Sequence, residues 1–158
     1  MRALIFILSL LVITPGFAQG WTSYSNARYG ANADVPPGFV AAGPEAKNSD
    51  GLIFRSRQGG YLTIYGADVP GRNFEAFMAK MIANEKSYNG WSVAGSKITP
   101  NWAEYWSSNG GRQLRVKVLS SCGGKQAVVT RFEFSRNMLR DVERVERSLK
   151  AGPAHSCK

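Results

Sequence analysis

Four strand-like runs stand in a row between Trp91 and Phe134, each cut from the next by turn residues. Trp91–Thr99, Trp102–Ser107, Arg112–Ser120 and Gln126–Phe134 are separated by Pro100-Asn101, Asn109-Gly110 and Cys122-Gly123-Gly124. Short runs joined by tight turns pair with their neighbours, so this part of the chain is committed to an antiparallel meander. A turn at Asn109-Gly110 sets Tyr105 opposite Leu114 and Ala103 opposite Val116 on one side. On the other side Glu104 meets Arg115, Trp102 meets Lys117 and Trp106 meets Gln113. At Cys122 a two-residue turn would put Arg131 on the core side opposite Val116. A three-residue loop instead pairs Val118 with Val128 and Leu114 with Phe132. The second register keeps the charge out of the core and is the expected one.

An amphipathic helix precedes the meander and another follows it. Over Asn73–Lys86, Phe74, Phe77, Met78, Met81 and Ile82 recur at helical spacing, with Asn73 as N-cap and Asn89-Gly90 as the stop. The two methionines belong to that apolar stripe and read as core filler. Over Met138–Ala151 the stripe is Met138, Val142, Val145 and Leu149, capped by Ser135 or Asn137 and ended by Gly152-Pro153. Its charged side, with Glu143 four residues before Arg147, reads as a solvated face. Upstream, Trp21–Pro37 reads as an irregular start and a short strand, and Val40–Asp50 as loop. Leu52–Arg57 and Tyr61–Tyr65 form a hairpin. A three-residue loop of Gln58-Gly59-Gly60 would pair Phe54 with Ile64 and Ser56 with Leu62, gathering the apolar residues on one face. The expectation is an α+β domain with a mostly antiparallel sheet and two main helices.

Residues 1–18 read as a signal peptide: Arg2 in front, an apolar run over Ala3–Ile13 broken only by Ser9, then Pro15-Gly16 and a small-residue site ending at Ala18. The run is too short to span a bilayer, for which about 20 residues are needed. Residues 19–158 are then a single domain, exported to a bacterial periplasm or secreted, with no transmembrane segment. In an oxidising compartment the only two cysteines, Cys122 and Cys157, are expected to form a disulfide. The last strand leads away from Cys122 and the last helix leads back, so the bridge would pin the C-terminal tail.

The formal net charge of +9 is unevenly spread. Gln19–Gly111 carries 8 basic and 7 acidic residues, whereas Arg112–Lys158 carries 11 and 4. A basic surface attracts anions, and in an exported protein an envelope glycan, a lipid or a protein partner fits better than nucleic acid. With one histidine, His155, and two cysteines, a His/Cys metal cage lacks its ligands. There is no phosphate-binding loop, GxSxG elbow, HExxH helix or CxxC pair. No cofactor is expected. The non-core face of the meander gathers Trp102, Trp106, Glu104, Arg115, Lys117, Arg131 and Glu133. Of these, Trp102, Trp106, Arg115, Lys117 and Arg131 form the candidate ligand site: the indoles can stack on a sugar while the cations neutralise its carboxylate or phosphate. Arg115 and Arg131 would be cross-strand neighbours needing an anion between them. Alternatively these Trp lie beneath a helix or loop in a second core. A catalytic reading needs a carboxylate such as Glu104, but Glu104 and Glu133 each have a basic neighbour, which points to structural ion pairs.

The segment from Asn26 to Pro36, with Asn26, Arg28, Tyr29 and Gly30, resembles the opening of small exported bacterial proteins. Asn48, Asp50, Gly51 and Phe54 match their next strand, and Val142, Arg144, Ser148 and Leu149 match their closing helix. These chains are similar to the Mog1/PsbP-like α/β/α sandwich, and the resemblance covers most of residues 19–158. Ala31 replaces the usual aromatic, and Gln58-Gly59-Gly60 replaces the usual Asp-Gly hairpin. The resemblance implies a non-enzymatic accessory, assembly or binding protein and brings no catalytic residues with it. The functional expectation is a non-catalytic envelope protein binding an anionic glycan, lipid or protein partner through its basic C-terminal third. The rivals are an envelope-polymer hydrolase and an inhibitor- or immunity-type module.

Overall fold

The computed structural model describes residues 20–45 and 47–157, so the signal-peptide reading falls outside the described residues. A seven-stranded antiparallel sheet dominates. Its members are β3 (Phe39–Ala41), β4 (Gly51–Ser56), β5 (Tyr61–Asp68), β6 (Gly95–Ile98), β7 (Trp102–Asn109), β8 (Arg112–Ser121) and β9 (Gln126–Ser135). They lie in the order β3-β4-β5-β9-β8-β7-β6. A smaller sheet orders β1 (Thr22–Ser25), β2 (Ala31–Val35) and β10 (Lys150–Ala151) with β2 in the middle. The helices are α1 (Phe74–Asn89) and α2 (Leu139–Ser148).

Each face of the large sheet has its own core. Phe74 and Met78 of α1 pack on Ala103, Tyr105, Leu114, Val116, Val118, Ala127 and Val129, so α1 lies over β7, β8 and β9. On the opposite face Met138, Val142, Val145 and Leu149 pack with β2 against Leu62, Ile64, Val128, Phe132 and Phe134. The central strand β9 is covered on both sides, which is why its run Ala127-Val128-Val129 is uniformly apolar and buried.

Local chemistry sets the boundaries. The Asn73 side chain accepts from the Ala76 amide at 2.9 Å, the expected N-cap, and Gly90 closes α1 in the left-handed region at φ 72°. The helix continues to Asn89, three residues past the expected end. The Trp91 amide donates to the Glu85 carbonyl at 2.9 Å, which ties Trp91 to the helix end and leaves only Gly95–Ile98 of the expected Trp91–Thr99 strand. The first segment forms two strands, β1 and β2, and the expected Val40–Asp50 loop begins inside β3.

The β4–β5 hairpin closes as a three-residue loop, but of Arg57-Gln58-Gly59. Phe54 therefore pairs with Leu62 and Leu52 with Ile64, each partner two residues from the expected register. The left-handed loop position falls on Gly59, φ 84°, while Gly60 is pressed against the Phe39 ring and the Met138 methyl, with no room for a side chain. The β7–β8 turn is Gly110-Gly111, not Asn109-Gly110. It sets Tyr105 opposite Val116, Ala103 opposite Val118, Glu104 opposite Lys117 and Trp106 opposite Arg115. Both shifts preserve which face each residue takes.

The β8–β9 connection does not. Its four residues Cys122–Lys125 pair Ser121 with Gln126, Val118 with Val129 and Val116 with Arg131. This turns Arg131 to the α1 side, the arrangement the sequence reading set aside. α2 also departs from expectation. It ends at Ser148 rather than Ala151, because Lys150 and Ala151 pair with Asn32 and Ala31 as β10. No side chain caps it, since Ser135 Oγ is spent on Asn137 Oδ1.

The Cys122–Cys157 disulfide is present, with 5.5 Å between the Cα atoms. The tail it holds lies along the Asn26–Gly30 turn: the amides of Gly152, His155 and Ser156 donate to the carbonyls of Gly30, Ala27 and Arg28. Asn26 is the buried organiser of that turn, accepting from the Tyr29 amide at 2.8 Å and donating to the Ser49 carbonyl at 2.6 Å. A side chain at Gly30 would strike the Gly152 carbonyl. The closing-helix residues are likewise structural. Ser148 Oγ accepts from the Asp34 amide at 2.8 Å, and the Arg144 guanidinium meets Asp34 at 2.9 Å and stacks on Trp21.

Candidate functional site

The five residues expected to form one ligand site are divided between the two faces of the sheet. Trp102, Trp106, Arg115 and Lys117 share the α2 face of β7 and β8. Arg131 lies on the α1 face. The expected Arg115–Arg131 clash is absent, because Phe132 stands opposite Arg115 and Val116 stands opposite Arg131.

Beneath α1, Arg131 is the centre of a buried network. Its guanidinium donates to the two carboxylate oxygens of Glu85 at 2.7 and 2.8 Å, and to Glu133 at 2.6 Å. Glu85 also accepts from the Tyr105 hydroxyl at 3.0 Å and the Asn89 amide at 2.9 Å. Burial alone would raise the Glu85 carboxyl, but these donors outweigh it and hold the group below the ordinary carboxylate range. Burial likewise opposes the charge on Arg131, and the bonds to Glu85 and Glu133 overcome it, so the guanidinium stays firmly charged. Burial, reinforced by Glu85, pushes Tyr105 upward and Tyr65 up to about 12. The network is complete within itself, and offers an incoming anion no free cation.

On the α2 face Arg115 and Lys117 are also engaged. Arg115 forks onto Glu146 of α2 at 3.1 and 3.0 Å. Lys117 reaches Glu104 at 3.3 Å and sits 3.9 Å over the Trp102 ring, which Lys97 also approaches at 5.1 Å. Burial raises the Glu146 carboxyl despite the opposing Arg115. Between this face and α2 lies a groove of about 400 Å³ lined by Glu104, Lys117, Leu119, Glu143, Glu146, Arg147 and Leu149. Trp106 stays partly exposed, so these Trp do not lie wholly within a second core. The ion pairs expected for Glu104 and Glu133 are present, Glu133 bonding both Arg112 and Arg131.

Free positive charge gathers elsewhere. A larger cleft, about 1030 Å³, opens where the β2–β3 turn, the β4–β5 hairpin and the start of α2 meet. Arg55 and Arg57 line it, with Tyr61, Val40 and the Asp141 carboxylate. Among the described residues, no carboxylate lies within ion-pair distance of Arg55 or Arg57. Sequence reasoning missed this cleft because both its arginines lie outside the basic C-terminal third. The available signal was Arg55 and Arg57 in a hairpin with few acids nearby.

No helix among the described residues is long and apolar enough to cross a membrane. No protein-family model and no curated protein matches the chain. Solved structures do. The solution structure of cyanobacterial PsbP (CyanoP) from Synechocystis aligns over 88% of this chain and 96% of its own, at 13% identity and a TM-score of 0.56. The crystal structure of the Saccharomyces cerevisiae Ran-binding protein Mog1p aligns over 85% of this chain and 97% of its own, at 9% identity and a TM-score of 0.59. A point mutant of Mog1 aligns over 87% and 99%, at 10% identity and a TM-score of 0.61. The fold is therefore Mog1/PsbP-like, as the sequence motifs implied.

Proposed function

We propose that this Mog1/PsbP-like chain is a non-catalytic, exported binding protein that takes an anionic partner in the cleft between the β4–β5 hairpin and the start of α2. One observation carries the reading: Arg55 and Arg57 line a single cleft with no carboxylate in ion-pair reach among the described residues. A guanidinium left free at a concave surface is a ready donor to carboxylate or phosphate oxygens. The cations of β7 and β8 are spent on Glu104 and Glu146, and binding an anion there would first have to break those pairs. Glu104 is held by Lys117, which favours a structural role for it over a catalytic one. The Cys122–Cys157 bridge suits an oxidising compartment. A protein partner is in keeping with a fold shared by a Ran-binding protein.

The test is co-sedimentation of the purified, oxidised protein with isolated cell-envelope material at low and high salt. It is run beside Arg55→Glu/Arg57→Glu and, as contrast, Arg115→Gln/Lys117→Gln. Salt-sensitive binding lost only in the first variant is expected. Loss only in the second would return the site to the β7–β8 face, and no binding at either salt would sink the envelope reading.

A further inference from the structure

The β3–β4–β5 corner of the large sheet leaves apolar side chains uncovered on the face that carries α1. Val40, Ile53 and Tyr61 are 52%, 50% and 46% exposed. Pairing sets them side by side: Val40 opposite Arg55 opposite Tyr61 in one row, Ile53 opposite Thr63 in the next. α1 covers β7 to β9 and leaves this corner open. The cleft is lined by Val40, Arg55, Arg57 and Tyr61, and Ile53 stands in the row beside it, so the apolar shelf adjoins the unpaired arginines on one face.

Building on the reading of that cleft as an anion site, we propose that its occupant is an acidic segment of a protein partner, one carrying Asp or Glu beside apolar side chains. Charge complementarity fixes the sign of the occupant, because Arg55 and Arg57 meet no carboxylate partner and the lining acid Asp141 is outnumbered. The shelf fixes its second property. A free phosphate or a polyanionic glycan would satisfy the arginines and leave Val40, Ile53 and Tyr61 in water. A bilayer is too broad to enter a concave cleft. An extended peptide satisfies both halves, and Tyr and Arg are among the residue types enriched at the hot spots of protein interfaces.

The purified, oxidised protein is titrated with a random Glu/Tyr copolymer, with poly-glutamate of the same length and with phosphatidylglycerol vesicles. Wild type is compared with Ile53→Ser/Tyr61→Ser and Arg55→Glu/Arg57→Glu. Val40→Ser, a single exposed change, repeats the shelf test should the double variant unfold. The copolymer is expected to bind at least tenfold more tightly than poly-glutamate. The shelf variant should erase that margin and the arginine variant should abolish both. Equal binding of the two polymers, unmoved in the shelf variant, would overturn this inference and leave the anion site standing. Binding unmoved in the arginine variant would overturn both, and vesicle binding without copolymer binding would replace the peptide with a lipid surface.

Discussion

The β7–β8 face and the β3–β5 cleft carry the same kinds of side chain, basic groups beside aromatics, yet only one of them has charge to spare. On β7 and β8 each candidate cation has found a carboxylate: Arg115 has Glu146 and Lys117 has Glu104. Around the cleft the arginines stand alone. Helix position makes the difference. α2 presents Glu146 to β8, and α1 presents Glu85 to β9, whereas neither helix covers the α1-side face of β3 and β4. A cation's presence in sequence therefore says little about its availability. What covers the strand decides it.

The comparison breaks most visibly at Arg131. Arg131→Met leaves Glu85, only 3% exposed, buried without its counter-charge. Stranding one partner of a buried pair costs about 3–5 kcal/mol. Arg55→Met strands nothing and should leave the urea midpoint unchanged. Equal midpoints for the two variants would mean that Arg131 is not paired as described. The disulfide comes next. Replacing Cys122 and Cys157 with Ser releases the tail from the Asn26–Gly30 turn and frees a loop spanning 35 residues, which costs roughly 3–4 kcal/mol by chain entropy. Amide exchange should rise first at Gly152–Ser156, while β8 and β9, held by their own ladder, keep their protection.

Acid titration separates the two faces by sign. Glu85 is depressed, so its contribution is complete above the ordinary carboxyl value of 4.5 and is lost as pH falls through its lower folded value. Glu146 is raised, so the folded chain holds that proton more tightly, and its contribution declines as pH rises from 4.5 through its higher folded value. Relative to Glu85→Gln, wild type should lose stability below pH 4.5. Relative to Glu146→Gln, it should lose stability above pH 4.5. Parallel curves in both comparisons would show that neither face distinguishes its carboxylate from solvent.

These contrasts mark what the residues alone could disclose. The meander, both helical stripes, the Asn73 cap and the disulfide follow from spacing and turn chemistry, and those are local. Two hairpins slipped along their strands without changing faces, because apolar alternation fixes parity more firmly than exact position. The β8–β9 parity escaped because a lone Arg131 is expected to stay out of the core. Glu85 was the clue to the contrary. It stands three and four residues after Ile82 and Met81, on the apolar stripe of α1, where a carboxylate needs a buried partner. The candidate site was split for the same reason, and the cleft stayed hidden because three separate segments build it.

The smallest expected effect tests whether free charge is enough to make a site. Glu143 and Arg147 sit 4.0 Å apart on the exposed side of α2, a pair worth at most about 0.5 kcal/mol. Glu143→Gln should therefore leave the unfolding midpoint almost unmoved. It also takes away the carboxylate nearest Arg147, which lines the smaller groove. If unpaired cations were sufficient, the variant would gain copolymer binding that survives Arg55→Glu/Arg57→Glu. The apolar members of that groove, Leu119 and Leu149, are half-buried and buried against the core, so it has no exposed shelf to offer. No gain is expected. A gain would show that the apolar shelf contributes nothing that charge alone does not supply.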